Sequence, residues 1–291
     1  MREKGINMGK LDGKVAIITG AGTGVGRSCM QVFAREGAKV IGAGRTEATL
    51  DEALSTVIEA GGDGFVHRTD VSKEADCEAL FAAAVERYGQ VDIVVNNASV
   101  GYDYATEDRP DSMNSLAETP SDNWETVINI NLNSVYYMSK NAIGAFRAVG
   151  GGAIVNVSSI GGEMGMPAAH AYTAAKAGVN NLTRSMAVSY GPENIRTNCV
   201  APGGIDTKML AGYLEFEGNP HTNDGTRFGM APLGRLASPE EIAKACLFFA
   251  SDDSSYCNGS VLVVDGGSTA SWLVDSGVNG QIKYDISATG G

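Results

Sequence analysis

The residues from which metal sites and covalent frameworks are built are scarce in this chain of 291 residues. It has three histidines, His67, His170 and His221, far apart, and five cysteines, Cys29, Cys77, Cys199, Cys246 and Cys257, scattered and odd in number without CxxC spacing. That distribution argues against a histidine-built zinc site and against a disulfide scaffold, so the expectation is reduced core thiols and no metal. Basic residues are few as well, 22 lysines and arginines against 34 acids, for a net charge of -12. With no basic run, the chain would repel nucleic-acid phosphates. No stretch approaches the roughly 20 apolar residues needed to span a bilayer. The opening MREKGINMGKLDGK has no apolar signal core, so a cytoplasmic protein is expected, without membrane contact.

What the chain does have is 38 glycines and 43% apolar residues, arranged in alternating short apolar runs and amphipathic stretches. KVAIIT at 14–19 reads as a buried strand, followed by the glycine-rich GAGTGVG and a helical stretch. AKVIGAG at 38–44 offers a second strand and residues 47–60 a second helix, which is strand, helix, strand at mononucleotide-fold spacing. Further strands are expected at 64–70, 91–97, 152–159 and 195–203 and in SVLVVDGG. Further helices are expected at 73–89, 124–148 and 172–191 and in PEEIAKACLFFASD. Seven continuously apolar strands separated by helices predict an α/β fold of Rossmann type, a doubly wound parallel sheet with helices on both faces. No internal repeat or long linker divides the chain, so residues 1–291 are expected to form one domain with its core at 12–267. Three regions break the alternation: 99–123, with six acids and one arginine; a candidate substrate lid at 206–231; and a C-terminal extension at 268–291. The lid offers Met209, Leu210, Tyr213, Leu214 and Phe216 as apolar walls, or as packing with no substrate contact.

The glycine-rich turn suggests a nucleotide. Gly20, Gly24 and Gly26 allow a tight turn, close approach of a pyrophosphate and close packing of the next helix, whose first amides face negative charge. The spacing is not strictly GxGxxG, and glycines also solve backbone problems without a ligand. At the end of the second strand an NAD site usually carries a carboxylate, whereas an arginine pairs with a 2'-phosphate. Here Gly44 is followed by Arg45 and Thr46, which favours NADP(H) and leaves NAD(H) open. A solvated residue at a helix start is the plainer account of Arg45. Asp70 and Val71 close the third strand, where the carboxylate would accept from an adenine amino group, or would cap the following helix.

AHAYTAAKAG at 169–178 places Tyr172 one helical turn from Lys176. An ammonium beside a phenol favours phenolate at neutral pH, where an isolated phenol, with a pKa of about 10, is a poor base. Such i,i+4 pairs are common, so this one needs partners. Ser159 lies thirteen residues earlier, at the end of an expected strand, where its hydroxyl would hold a substrate oxygen; Ser158 would face the other way. Asn131 is a candidate to hold a water between Lys176 and solvent, or is a buried helix asparagine that satisfies backbone groups, and Asn129 and Asn133 show how little the residue type says alone.

Over residues 12–267 the chain resembles the classical short-chain dehydrogenases/reductases. TGAGTGVG corresponds to their TGxxxGxG, NNAS at 96–99 to NNAG, YTAAK to YxxxK, and APGGIDT to PGxxxT. The resemblance implies that Tyr172 is the acid/base, that Lys176 orients the nicotinamide ribose and lowers the tyrosine pKa, that Ser159 positions the reacting oxygen, and that Asn131 supports a water-mediated relay. It further implies that Thr23 and Val25 of the glycine turn, Asn97 and Ala98 after the fourth strand, and Pro202 and Gly203 border the cofactor. Ile205 would meet the nicotinamide amide through its backbone and Thr207 the diphosphate. Ser99 stands where the family usually has glycine, which bears on substrate shape. The implied activity is carbonyl reduction or secondary-alcohol oxidation on a small or medium neutral ketone or alcohol, by a homo-oligomer, commonly a tetramer. The alternatives are an NAD-dependent secondary-alcohol, sugar or polyol dehydrogenase and a noncatalytic nucleotide-binding regulator.

Overall fold

A computed structural model describes residues 9–101, 116–166, 169–207, 209–210 and 231–270. Within them seven parallel strands form one sheet in the order β3-β2-β1-β4-β5-β6-β7. The strands are β1 (Val15–Thr19), β2 (Lys39–Gly44), β3 (Asp63–Arg68), β4 (Ile93–Asn96), β5 (Gly152–Val157), β6 (Ile195–Pro202) and β7 (Val261–Val264). Between them lie α1 (Gly24–Arg35), α2 (Glu47–Glu59), α3 (Glu74–Tyr88), α4 (Ser121–Ile128), α5 (Ser134–Val149), α6 (His170–Tyr190) and α7 (Pro239–Ala250). The expected doubly wound α/β architecture is therefore present.

Both faces of the sheet are buried, so successive residues of one strand serve different cores. Ala16 and Ile18 of β1 pack with Cys29 and Phe33 of α1, Leu50 of α2 and Ile242 and Cys246 of α7. Val15 and Ile17 pack on the opposite face with Leu80 and Phe81 of α3 and Met138 and Phe146 of α5. This is why the strands read as unbroken apolar runs. α7 starts with a capping box in which Ser238 accepts from the Glu241 amide and the Glu241 side chain returns to the Ser238 amide, satisfying two donors at its first turn.

The long helix expected at 124–148 is interrupted. α4 and α5 are joined by a π-helical turn, Asn129–Asn133, in which the wider repeat shifts every later side chain around the axis. Hydrophobic periodicity over 25 residues does not register such a local insertion. The helix expected from 172 begins at His170, which places Tyr172 inside its first turn. Most of the candidate lid, residues 208 and 211–230, lies outside the described residues, as do 102–115 of the acidic region and 271–291 of the C-terminal extension.

Candidate functional site

The strand order reverses between β1 and β4, and an open α/β sheet has its crevice at the carboxyl ends of strands at such a switch point. Here the two ends are tied together by side chains. Thr19 Oγ1 accepts from the amides of Asn97 and Ala98, each at 3.0 Å, and donates to the Val95 carbonyl at 3.3 Å. Asn97 Nδ2 donates to the Thr19 carbonyl at 3.0 Å. Gly20 follows with φ +65°, and a Cβ there would lie 2.9 Å from Asn97 Nδ2. A Cβ on Gly26 would run into the Gly20 carbonyl oxygen. At Gly20 and Gly26 the turn is thus closed too tightly for a side chain. Thr23, in extended conformation, makes no side-chain cap on α1, so the N–H groups at the head of that helix are not taken by it. Val25 is buried in the core beneath them.

Residues following β6 cross the same turn. Pro202 ends the strand, the Gly203 amide donates to the Val264 carbonyl at 3.0 Å, and Ile205 bridges to Ala237. Thr207 Cγ2 would sit 3.3 Å from a Cβ on Gly24, which brings the PGxxxT segment over the glycine turn. These features form a cradle that a dinucleotide's diphosphate fits, with backbone amides rather than lysines as its donors.

Next to it Gly20, Arg45, Asp70, Val71, Ala98 and Ser99 line one cleft of ≈ 120 Å³. Arg45 is exposed and has no ion pair among the described residues. Thr46 precedes α2 without a side-chain cap. Asp70 turns toward its own chain, where its Oδ1 accepts from the Ser72 amide at 3.1 Å and the Ser72 hydroxyl at 2.7 Å, with Lys73 Nζ 3.9 Å from Oδ2. The helix cap considered for Asp70 is therefore corrected: Lys73 occupies the cap position of α3, and the Asp70 carboxylate closes the turn before the helix by bonding Ser72. Val71 is buried among Ile41, Ala43 and Cys77.

At the other end of the crevice, α6 brings Lys176 Nζ to 5.6 Å from the centroid of the Tyr172 ring. Lys176 is only 2% exposed and donates to the Val157 carbonyl at 3.0 Å. Burial pushes its ammonium down from 10.5 to about 8, against a smaller opposing influence from Cys199. Ser158 faces the helix, donating to the Lys176 carbonyl at 3.0 Å. Ser159 lies beyond the end of β5 as the residue before the 3₁₀ turn Ile160–Gly162, and its Oγ accepts from the Gly161 amide at 3.0 Å. That bond occupies an oxygen lone pair and leaves the hydroxyl proton available to donate. A Cβ on Gly161 would lie 3.4 Å from Tyr172 Cε1, so the turn carrying Ser159 packs on the edge of the tyrosine ring. Tyr172 is half-buried and also packs against Val100, Val127, Ile130 and Ala171.

Asn131 is placed in the π turn and is 1% exposed. Its Oδ1 accepts from the Val100 amide at 2.8 Å and the Ser99 hydroxyl at 3.2 Å, and its Nδ2 donates to the Val100 carbonyl at 2.8 Å. Its side-chain amide is thus engaged by the loop after β4, in keeping with the alternative of a buried helix asparagine that satisfies backbone groups. Ser99 supplies one of those bonds, a role that a glycine at that position lacks.

Two features escaped the reading of the sequence. Thr19 ties β1 to β4, although a threonine ending an apolar run and starting a glycine turn was a visible signal. Asn156, flanked by Val155 and Val157, accepts from Asn96 Nδ2 at 2.9 Å and donates to Thr183 Oγ1 at 2.8 Å. This buried chain fixes β4, β5 and α6 against one another beneath the crevice. A lone amide inside an apolar strand was its signal.

A family model described as enoyl-(acyl carrier protein) reductase matches residues 20–269. The cis-4-hydroxycyclohexanecarboxylate dehydrogenase of Sinomonas cyclohexanicum is 40% identical over 257 residues, 88% of this chain and 97% of that protein. The cyclohexanol dehydrogenase of Acinetobacter sp. (strain SE19) is 34% identical over 261 residues, 90% of this chain and 97% of that one. The crystal structure of levodione reductase superposes with a TM-score of 0.82 at 32% identity, covering 90% of this chain and 100% of the other. Similarity along nearly the whole length, on a sheet of this strand order, makes the chain a member of the classical short-chain dehydrogenase/reductase family, oxidoreductases that act on CH–OH and C=O groups with NAD(H) or NADP(H).

Proposed function

We propose that the protein is an NADP(H)-dependent oxidoreductase interconverting a small or medium ring-bearing secondary alcohol and its ketone. One observation carries the chemistry: a buried lysine ammonium 5.6 Å from the centroid of a tyrosine ring that also packs against the turn bearing Ser159. The ring-bearing class is supported by relatives named for cyclohexanol and hydroxycyclohexanecarboxylate and by the apolar surroundings of Tyr172. When bound, the nicotinamide supplies or accepts the hydride. Gly20, Thr23, Gly24, Val25 and Gly26 would hold the diphosphate end with Thr207. Asn97, Ala98, Pro202, Gly203 and Ile205 would border the rest, and Asp70 and Val71 the adenine. Arg45, exposed at the end of β2, would pair with a 2'-phosphate, with Thr46 beside it.

In reduction, Tyr172 gives its hydroxyl proton to the oxygen that gains charge; in oxidation, its phenolate takes the alcohol proton. The Lys176 ammonium stabilises that phenolate, and Ser159 donates its free hydroxyl hydrogen to the same oxygen. Asn131 contributes by holding the loop from Ser99 to Val100. The protein acts as a self-associated oligomer, commonly four chains in this family.

A panel of cyclohexanols, linear secondary alcohols, polyols and the matching ketones, followed by nicotinamide absorbance with both cofactors, tests the assignment. Turnover is expected on the cyclic members. Tyr172→Phe is expected to lower kcat by at least about a hundredfold, the usual scale for loss of a positioned acid/base, with cofactor affinity retained. Turnover confined to polyols with NAD(H) would support the polyol dehydrogenase reading instead. Tight cofactor binding without turnover anywhere on the panel would support a regulator.

A further inference from the structure

The mechanism leaves unexplained a set of polar contacts one turn beyond Lys176. Asn180 continues the line begun by Tyr172 and Lys176, each four residues on along α6, so the three share one face. Asn180 is 2% exposed, yet its amide reaches an exposed carboxylate, donating from Nδ2 to Glu163 Oε1 at 2.7 Å. Its Oδ1 accepts from Cys199 Sγ at 3.4 Å, on β6. Both polar ends of a buried side chain are thus committed, one to the strand beneath and one to the turn above.

That turn is the one carrying Ser159. It runs from the end of β5 through the 3₁₀ turn Ile160–Gly162 to Glu163 and is attached to α6 at both ends. At its start Ser158 Oγ donates to the Lys176 carbonyl at 3.0 Å; at its finish Glu163 holds Asn180. Between them Gly162 lies so close to the helix that a Cβ would be 2.8 Å from both the Lys176 carbonyl carbon and Asn180 Nδ2. The Gly162 amide donates to the Ser159 carbonyl at 2.9 Å, so displacement of the far end is transmitted to Ser159.

We propose that Glu163 and Asn180 are positioning residues, a clasp that fixes the Ser159 turn on α6 and so sets the Ser159 hydroxyl in register with Tyr172. The inference rests on the reading of Ser159 as the group that holds the reacting oxygen. Glu163 touches neither substrate nor cofactor in this account and acts only through the turn. Since a small misplacement of an aligned group costs large factors in rate, the effect falls on kcat, with the cofactor cradle at the opposite end of the crevice unaffected.

The test uses the full chain. Glu163→Ala, at an exposed position, is expected to lower kcat for a cyclic secondary alcohol about tenfold, to leave the affinity for NADP(H) within about twofold of the unaltered protein, and to speed amide hydrogen exchange at Gly161 and Gly162 about tenfold. Glu163→Gln retains an acceptor oxygen and is expected to recover most of each loss. In a Ser159→Ala background Glu163→Ala is expected to add nothing, because the group it positions is gone. The proposal is overturned by an unchanged kcat, by a Glu163→Ala loss that multiplies with that of Ser159→Ala, or by a parallel loss of cofactor affinity. If the unaltered protein turns over no alcohol or ketone, the functional reading fails; amide exchange then decides the clasp by itself, and unchanged exchange in Glu163→Ala overturns it.

Discussion

Lys176 carries an ammonium into the interior, and the arrangement that serves proton transfer works against folding. Its pKa falls from 10.5 to about 8 through burial, so between those values the unfolded chain binds the proton more tightly than the native one. Stability therefore rises with pH across that window, and below about pH 8 the full cost of the buried charge is present, about 3 kcal/mol. Lys176→Met removes the charge and also the bond to the Val157 carbonyl, worth about 1 kcal/mol. The variant is expected to be more stable than the unaltered protein by about 2 kcal/mol at pH 7, with the gap narrowing toward pH 10, and to be inactive; urea unfolding at the two pH values measures this. Arg45 presents a different case, an exposed cation whose role depends on what it meets. Arg45→Glu is expected to shift the ratio of kcat/KM for NADP(H) over NAD(H) toward NAD(H) by at least about a hundredfold, from loss of a charge-assisted contact and gain of repulsion, as read in parallel assays with both cofactors.

At the scale of elements, the glycine turn and the start of α1 act as a unit. A Cβ on Gly26 meets the Gly20 carbonyl oxygen and lies 2.7 Å from Asn97 Nδ2, and neither neighbour is the free end of a long side chain. Gly26→Ala is expected to destabilise the fold by about 2 kcal/mol through forced backbone displacement and to weaken cofactor binding at least tenfold; thermal unfolding with and without NADP(H) separates the two losses. Elements were legible wherever one periodicity ran uninterrupted. β1, α1 and β2 could be placed from apolar runs and glycines, and the turn of Tyr172 against Lys176 from their spacing. The π turn at Asn129–Asn133 could not, because it adds a single residue to an otherwise helical pattern. The role of Asn131 was hidden for the same reason, since its direction depends on that shift and its partners, Ser99 and Val100, come from another part of the chain.

On the scale of the whole molecule, the chain carries a net charge of -12; among the described residues the two largest apolar clusters pack on opposite faces of one sheet, and no helix is long and apolar enough to cross a membrane. α5 and α6 nevertheless expose Tyr136 and Val188, the latter at 81%, on helices that the proposed assembly would bring together. Sedimentation velocity is expected to show a species of four chains of 30.2 kDa, reduced in mass by Val188→Glu; a monomer at micromolar concentration would remove the oligomer from the proposed function. The amino-acid sequence by itself determined the alternation of strands and helices, the glycine turn after β1 and the spacing of Tyr172 and Lys176, because each depends on residues close together along the chain whose spacing is read by a helix or strand repeat. Only the tertiary structure decided that Thr19 joins β1 to β4, that Asp70 bonds Ser72, that Asn131 holds the loop at Val100, and that Glu163 reaches Asn180. Hydrogen-bond partners are chosen by proximity in the folded chain, and apart from the two-residue step from Asp70 to Ser72 these contacts span separations that no local pattern encodes.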